Sequence, residues 1–364
     1  MSVNFYILIF RVYTIMRKWV KINLIVLGSV LLFIGAFNLF MDPFWCFEHK
    51  HRYNQFQKGM NERQQKANKI YFTSEKYNSL LLGSSRTTYM NQNDFQNLKV
   101  FNFSATGMRP QEYKTYIDFV INDTKQPIDT IILGTDFFGY LSYGAFMYDN
   151  APLITNTTKL PYYRWKVLFS FDALNNSFKN FRDYLNPNNH TDRYNRDNVK
   201  NRVRFPINAG RNQQIQIDVK IYANEEYSSG PNPKFISLMS AIKEDYKDKK
   251  FIIYTTPISE PLFKELIKKG HYQDYENWLR TLVSIYGEVH HFMYLNSVSK
   301  NYLEYFADSN HAYVETNKLI AAEITNNPIE IPNDFGMLLT KENLEEKLKE
   351  LRKINTMTGS SNAL

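Results

Sequence analysis

The longest apolar pattern in the chain lies near its start, where Ile22 to Met41 carries no charge and is dominated by Leu, Ile, Val, Phe and Gly. As a helix this run is long enough to cross roughly 30 Å of hydrocarbon. Further along, short aliphatic or β-branched runs alternate with segments whose apolar residues recur near the 3.6-residue period. The runs Ser79-Leu80-Leu81-Leu82, Lys99-Val100-Phe101-Asn102, Asp129 to Leu133, Phe251 to Tyr254 and Phe292 to Leu295 are predicted strands. Each is short and apolar, as strands buried on both faces are. Gln111 to Ile121, Phe235 to Tyr246, Pro261 to Lys269, Tyr272 to Tyr286 and Ala312 to Ile324 are predicted helices. This alternation specifies an α/β domain with a parallel central sheet.

The stretch 139–232 breaks the rhythm and is expected to be an insertion, a lid or binding subdomain. Lys341 to Lys353 has Glu and Lys at helical spacing and is predicted to form a short amphipathic helix, with Gly359-Ser360-Ser361 frayed beyond it. The expected organisation is a cytoplasmic N-terminus at 1–21, a membrane anchor at 22–41, a polar juxtamembrane segment at 42–74, an α/β domain at 75–330 and a helical tail at 331–364.

Charge sets the topology. Arg17, Lys18 and Lys21 precede the apolar run while Asp42 and Pro43 follow it, so the cationic flank should stay inside and the rest should be exported. The exit Phe37-Asn38-Leu39-Phe40-Met41 lacks the small-residue pattern of a signal-peptidase site, which favours an uncleaved anchor. Met16-Arg17-Lys18-Trp19 would itself begin an ordinary signal anchor, so translation is expected to be able to start at Met16.

Composition narrows the chemistry. A single cysteine, Cys46, excludes an intramolecular disulfide and any cysteine-built metal or iron–sulfur site. The formal charge of +8 is concentrated between Lys159 and Arg204. That surface is expected either to be merely solvated or to contact an anionic glycan, polymer or lipid headgroup. Nucleic acid is not an expected partner outside the cytoplasm. The chain contains neither a nucleotide-phosphate loop nor a dinucleotide fingerprint, and no cofactor is expected.

Two short motifs carry candidate chemistry. Leu81-Leu82-Gly83-Ser84-Ser85-Arg86 places a serine after the first predicted strand of the domain, at the end of the sheet where α/β proteins gather ligand sites. The backbone N–H of such a residue, opening the next helix, can point at a developing oxyanion. Asp308-Ser309-Asn310-His311 lies late in the domain, before a predicted helix. An Asp three residues before a His can accept the Nδ1 proton, fix the tautomer and leave Nε2 to deprotonate a serine. Each motif also has an ordinary reading as a turn or helix cap.

Together these motifs resemble the SGNH (GDSL-like) hydrolase superfamily, whose fold is a flavodoxin-like three-layer sandwich around a parallel sheet. The resemblance implies Ser85 as nucleophile in the Gly-Asp-Ser position of block I, with His311 and Asp308 completing the triad. Phe103-Ser104-Ala105-Thr106-Gly107 is similar to block II, which assigns the Gly107 N–H to the oxyanion hole beside that of Ser85. Leu133-Gly134-Thr135-Asp136 falls where block III has Gly-x-Asn-Asp, so Asp136 replaces the oxyanion-hole asparagine. A carboxylate there would repel the oxyanion unless protonated or turned away, which excludes Asp136 as a donor.

The single membrane helix, the Asp42-Pro43 pair after it, Gly-Ser-Ser and Asp-x-x-His resemble a cell-envelope branch of bacterial proteins that acetylate alginate or move D-alanine onto teichoic acids. That branch implies O-acyl transfer or deacylation of a cell-envelope polysaccharide or other acylated glycan, beside a multispanning O-acyltransferase partner. Its other implied reading is a noncatalytic binding or scaffold protein that keeps the fold.

The remaining candidates are weaker. Arg86 is expected either to meet substrate or to form an internal salt bridge, and Asn102 either to contact substrate or to brace the turn. His290-His291 sits at a predicted strand edge with side chains on opposite faces, unsuited to one metal. His49 and His51 lack carboxylate or cysteine partners at a metal-site spacing. No metal is assigned.

Overall fold

The computed structural model describes residues 2–142, 150–186 and 192–357. The expected fraying at Gly359-Ser360-Ser361 lies outside the described residues. Nine strands appear in chain order: β1 Phe56–Gln57, β2 Ser79–Gly83, β3 Val100–Asn102, β4 Thr130–Thr135, β5 Asp192–Asn195, β6 Lys200–Arg202, β7 Lys250–Thr255, β8 Glu288–His291 and β9 Met337–Thr340. The central sheet runs β3-β2-β4-β7-β8-β9, parallel except for the β8·β9 pair. The protein is thus a mixed α/β structure with a mostly parallel central sheet, preceded by one apolar helix.

The strands form where apolar runs alternate between two helix layers. Leu80, Leu82, Ile131, Leu133, Phe251 and Ile253 pack into one hydrophobic cluster, while Leu81, Ile132, Ile252 and Tyr254 pack into the other. This period-two split of near-continuous apolar runs is what a doubly covered strand produces. The predicted helices at Phe235–Asp245, Glu260–Lys268, Tyr272–Tyr286 and Val314–Thr325 all form.

The fifth predicted strand is corrected by four residues. Pairing occurs at Glu288–His291, and Phe292 to Leu295 follows the strand, turning at a Tyr294 N–H to Phe292 carbonyl bond of 3.1 Å. All four of those side chains are buried between helices, so their apolar run marks depth in the core and not pairing.

The apolar N-terminal segment is one helix, Ser2–Met41, which runs through both 1–21 and 22–41. Phe5–Met41 is long and apolar enough to cross a membrane, and only 17% of its most hydropathic window is buried. After Met41 the chain turns back at Asp42, whose φ of 43° lies in the left-handed region. The Asp42 carboxylate accepts from the Cys46 and Phe47 N–H groups at 2.8 and 3.1 Å and pairs with Arg196.

The segment 42–74 pairs with the insertion: β1 pairs with β5 and β5 with β6, giving a small antiparallel sheet built from residues on both sides of Ser85 in the chain. The helix Glu62–Phe72 then buries a largely polar face, Arg63, Gln64, Gln65, Lys66 and Asn68. The insertion is more regular than its pattern suggested. It supplies helices at Ala151–Lys159, Tyr163–Lys166, Phe171–Leu185 and Ala209–Glu225 as well as β5 and β6.

Candidate active site

The carboxyl ends of β2, β3 and β4 lead into three loops that meet at one cavity. β2 ends at Gly83, Ser84 caps the following turn by accepting from the Arg86 N–H at 3.3 Å, and Ser85 is the first residue of the short helix Ser85–Thr88. Two glycines permit this packing. A Cβ on Gly83 or Gly134 would fall 2.3 Å from Thr87 Oγ1, so both strands must lack a side chain where that turn sits down on the sheet.

Ser85 Oγ lies 2.8 Å from His311 Nε2, and His311 Nδ1 lies 2.9 and 3.0 Å from the two Asp308 oxygens. Asp308 is fixed in turn. Its Oδ1 accepts from the Asn310 and His311 N–H groups, both at 2.8 Å, and Arg202 approaches Oδ2 at 3.4 Å. Burial pushes the Asp308 pKa up, but the nearby His311 and Arg202 charges and these hydrogen bonds outweigh it and hold the carboxyl well below its usual range. The loop itself is anchored where Ser259 donates its N–H and hydroxyl to the Ser309 carbonyl, at 3.1 and 2.8 Å. Tyr89 and Tyr222 meet the His311 ring edge-on, with centroids 5.9 and 6.1 Å away.

Gly107 lines the same cavity of about 340 Å³ as Ser85 and His311, with Arg109, Phe138 and Glu226 among its walls. Its φ of 66° and the Met108 N–H to Ala105 carbonyl bond of 3.0 Å define a tight turn whose third residue needs glycine. Neither the Ser85 nor the Gly107 N–H has a protein acceptor among the described residues. Two free donors therefore lie in the loops that face the serine hydroxyl.

Asp136 does not face that cavity. It is buried, accepts from Thr256 Oγ1 at 2.5 Å and pairs with Arg86 at 3.2 Å. Arg86 also pairs with Glu226 at 2.8 Å and bonds Tyr227 Oη at 3.0 Å. The carboxylate in the block III position is thus turned away and neutralised by an arginine. This also corrects the substrate-facing reading of Arg86, whose side chain is almost wholly enclosed. Asn102 is likewise enclosed: it donates to the Thr87 and Met90 carbonyls at 3.0 and 2.8 Å, which braces the nucleophile turn.

Several residues around the site had no signal in the sequence. The juxtamembrane helix grips the Gly107 loop: Glu62 accepts from the Thr106 N–H at 2.6 Å, Arg63 donates to the Thr106 carbonyl at 2.9 Å, and Lys66 donates to the Ser104 carbonyl at 2.5 Å. Glu62 also accepts from Tyr194 and Lys200, at 2.7 and 3.1 Å, which brings the insertion onto the same helix. Burial opposes the Glu62 charge, yet Lys200, Lys66 and these bonds hold its pKa down to about 2. Burial pushes the fully enclosed Lys66 down to about 7. A second cavity of about 660 Å³ opens beside the first, sharing Thr106, Asp192 and Lys200 with it and extending past Lys58, Asn61 and Ile154.

The basic residues of the insertion are in part paired with carboxylates, some buried and some at the surface. Arg196 pairs with Asp42, Lys200 with Glu62, Arg202 with Asp308, Arg204 with Glu304 and Lys159 with Asp123. Elsewhere, His291 is a core histidine between Thr255 Oγ1 and Tyr275 Oη, at 2.9 and 2.6 Å, and burial drives its pKa to about 3. His49 and His51 stack beside each other, 5.7 Å apart, over the Phe40 carbonyl. Among the described residues no group of three or more His, Cys, Asp or Glu side chains is arranged to hold a metal ion.

Comparison with known proteins adds little to this geometry. No protein-family model matches the chain, and no curated protein does. Among solved structures, one from Streptococcus pneumonia, provisionally named a platelet activating factor, aligns at 10% identity over 72% of this chain and 89% of that one. Its TM-score of 0.33 is too low to carry an argument about fold or function.

Proposed function

We propose that this protein is a membrane-anchored serine acyl-transfer enzyme of the SGNH type, acting outside the cytoplasm on an acylated cell-envelope polysaccharide. The observation that carries the reading is the unbroken chain from Ser85 Oγ through His311 to Asp308, at 2.8 and 2.9 Å. That spacing is the nucleophile, base and orienting-group arrangement of a serine triad. The strand order supports it: among the parallel strands, the first lies second in the sheet, the 2-1-3-4-5 order of flavodoxin-like folds, with Ser85 beside the switch point.

In the first step His311 Nε2 takes the Ser85 hydroxyl proton as Oγ attacks the acyl carbonyl. The Ser85 and Gly107 N–H groups stabilise the tetrahedral oxyanion. Collapse breaks the bond to the leaving alkoxide, which takes the proton from His311 and departs as an alcohol. A second hydroxyl then gives its proton to His311 and attacks the acyl-enzyme, restoring free Ser85. If that hydroxyl is water the enzyme is an esterase; if it belongs to a sugar it is a transferase. Transfer is the reading we favour, because the second cavity adjoining the serine provides space for an acceptor chain.

The oxyanion hole has two donors and no asparagine, since Asp136 is committed to Arg86. A weakened hole fits an enzyme that works beside a multispanning O-acyltransferase. The test is release of 4-nitrophenol from its acetate ester by the full chain in detergent, with and without a polysaccharide acceptor. Turnover that vanishes in Ser85→Ala and rises with acceptor supports transfer. Equal turnover in both proteins refutes the reading, and unchanged polymer acylation in cells carrying Ser85→Ala would establish a scaffold instead.

A further inference from the structure

The segment from Leu160 to Leu185 is built inside out. In the helix Phe171–Leu185 the buried positions are Ala173, Ser177 and Asn180, while Phe171, Phe178 and Leu185 are 84%, 50% and 60% exposed. The preceding turns continue the exposed apolar face with Leu160, Trp165 and Phe169. A helix facing water places its apolar side inward; here the inward residues are small or polar while the outward side mixes Phe171, Phe178 and Leu185 with Asp172, Lys179 and Arg182, the composition of a helix lying at a membrane interface.

What the small residues face is the outer portion of the membrane helix Ser2–Met41. Asn38 Nδ2 donates to the Leu168 carbonyl at 2.7 Å, and Ser177 Oγ donates to Asn38 Oδ1 at 2.8 Å. Phe37 packs on Phe178 and Phe181, with ring centroids 4.9 and 6.1 Å apart. Gly35 forms a notch, since a Cβ there would lie 2.8 Å from the Phe169 ring. Gly35 lies six residues before the helix end, a descent of roughly 9 Å at about 1.5 Å per residue, so these contacts fall inside the apolar run.

We propose that Leu160–Leu185 is a second membrane element, lying at the extracytoplasmic interface with Phe171, Phe178 and Leu185 reaching into the acyl-chain region, and clamped to the anchor helix through Asn38 and Gly35. Its occupant is bilayer lipid. The exposed aromatic face is continuous with the lipid-facing surface of the anchor, and a polar residue in the membrane helix finds both its partners in this segment, as buried polar groups in hydrocarbon must. Tyr162 and Trp165 are 76% and 52% exposed and would occupy the headgroup level that such rings prefer, with Lys166 next in the chain for anionic headgroups. The consequence is orientation: the insertion that supplies Lys200, Tyr222 and Glu226 to the cavity of the serine is held at the bilayer surface. Substrate should then be met at the membrane.

The proposal rests on reading Ser2–Met41 as a membrane anchor, and the test separates the two. Full-length protein carrying Phe171→Cys, Phe178→Cys, Leu32→Cys or Lys247→Cys is labelled with an environment-sensitive fluorophore and reconstituted in phosphatidylcholine–phosphatidylglycerol vesicles. Cys46 is buried, and unsubstituted protein sets the labelling background. Labels at 171 and 178 should be quenched by nitroxide lipids as strongly as one at 32 and lose iodide quenching, while the label at 247 does the reverse. Iodide quenching at 171 and 178 with lipid quenching at 32 overturns the second element and leaves the anchor standing. Protection at 171 and 178 from both quenchers also overturns it, showing a protein partner or second copy on that face. Iodide quenching at 32 overturns the anchor itself.

Discussion

The loops that carry Ser85 and Gly107 are held from one side by the parallel sheet and from the other by the helix Glu62–Phe72 with the insertion, and the two sides use opposite means. The sheet presents Ser85 and the Gly107 loop from strands whose side chains are almost all apolar and enclosed. The helix Glu62–Phe72 holds the same Gly107 loop with Glu62, Arg63 and Lys66, three charged side chains bonded to backbone. Apolar packing supplies most of the free energy of a fold. Buried charges contribute little net stability, because desolvation consumes their attraction, but they dictate direction. The sheet therefore accounts for the existence of the site and the charged cluster for the position of the Gly107 turn.

The largest effects expected are those that remove the chemistry without touching either support. Asp308→Asn should keep the fold and lower acyl-transfer turnover by about 10⁴-fold, because the imidazole loses its tautomer and orientation. Unchanged turnover would mean that the observed triad is a structural accident. Stopped-flow or steady-state release of the alcohol is the measurement.

The charged side is broken next. Glu62→Gln leaves Lys200 and Lys66 buried without their anion, and the full chain should lose about 3–5 kcal/mol in denaturant unfolding. Replacing Glu62 and Lys200 together with apolar residues should recover much of that loss while leaving turnover low, since the Thr106 N–H stays ungripped. Recovery of both would show that the cluster stabilises without positioning. On the sheet side, Leu82→Ala should cost about 2–5 kcal/mol, yet change turnover per folded molecule little.

Acid sharpens the contrast. Glu62 is depressed from 4.5 to about 2 in the folded protein, so its contribution is present above pH 4.5 and is lost as pH falls toward 2. At about 1.4 kcal/mol per unit this is on the order of 3 kcal/mol, reduced by the cost of the desolvated Lys66 charge. Unfolding between pH 5 and 3 should be steep in the wild type and flatter in Glu62→Gln, as read by thermal melts. The smallest effect belongs to exposed pairs such as Lys247–Glu244: Lys247→Ala should leave the thermal melt unchanged.

The same contrast explains what was legible in the sequence. Strands β2, β4 and β7 and the helix Tyr272–Tyr286 follow from apolar spacing, because burial on the sheet selects residue type directly. Ser85, Asp308 and His311 were legible through short motifs whose members are close in the chain or sit at a strand end. Phe292 to Leu295 misled because a short apolar run cannot distinguish a strand from buried coil. Glu62, Arg63 and Lys66 fall in a stretch legible only as polar, since nothing in a polar pattern tells whether its partners are water or another segment's backbone. Likewise the basic residues of the insertion suggested an open surface, and their carboxylate partners lie from 10 to more than 150 positions away in pairs no local pattern exposes.

The most direct test of the central claim is intact-mass analysis of the detergent-solubilised full chain after treatment with a fluorophosphonate, in parallel with Ser85→Ala and His311→Ala. The account predicts a single adduct on the wild type and none on either variant. No adduct on the wild type, or an adduct that persists in Ser85→Ala, would contradict an activated serine at this site.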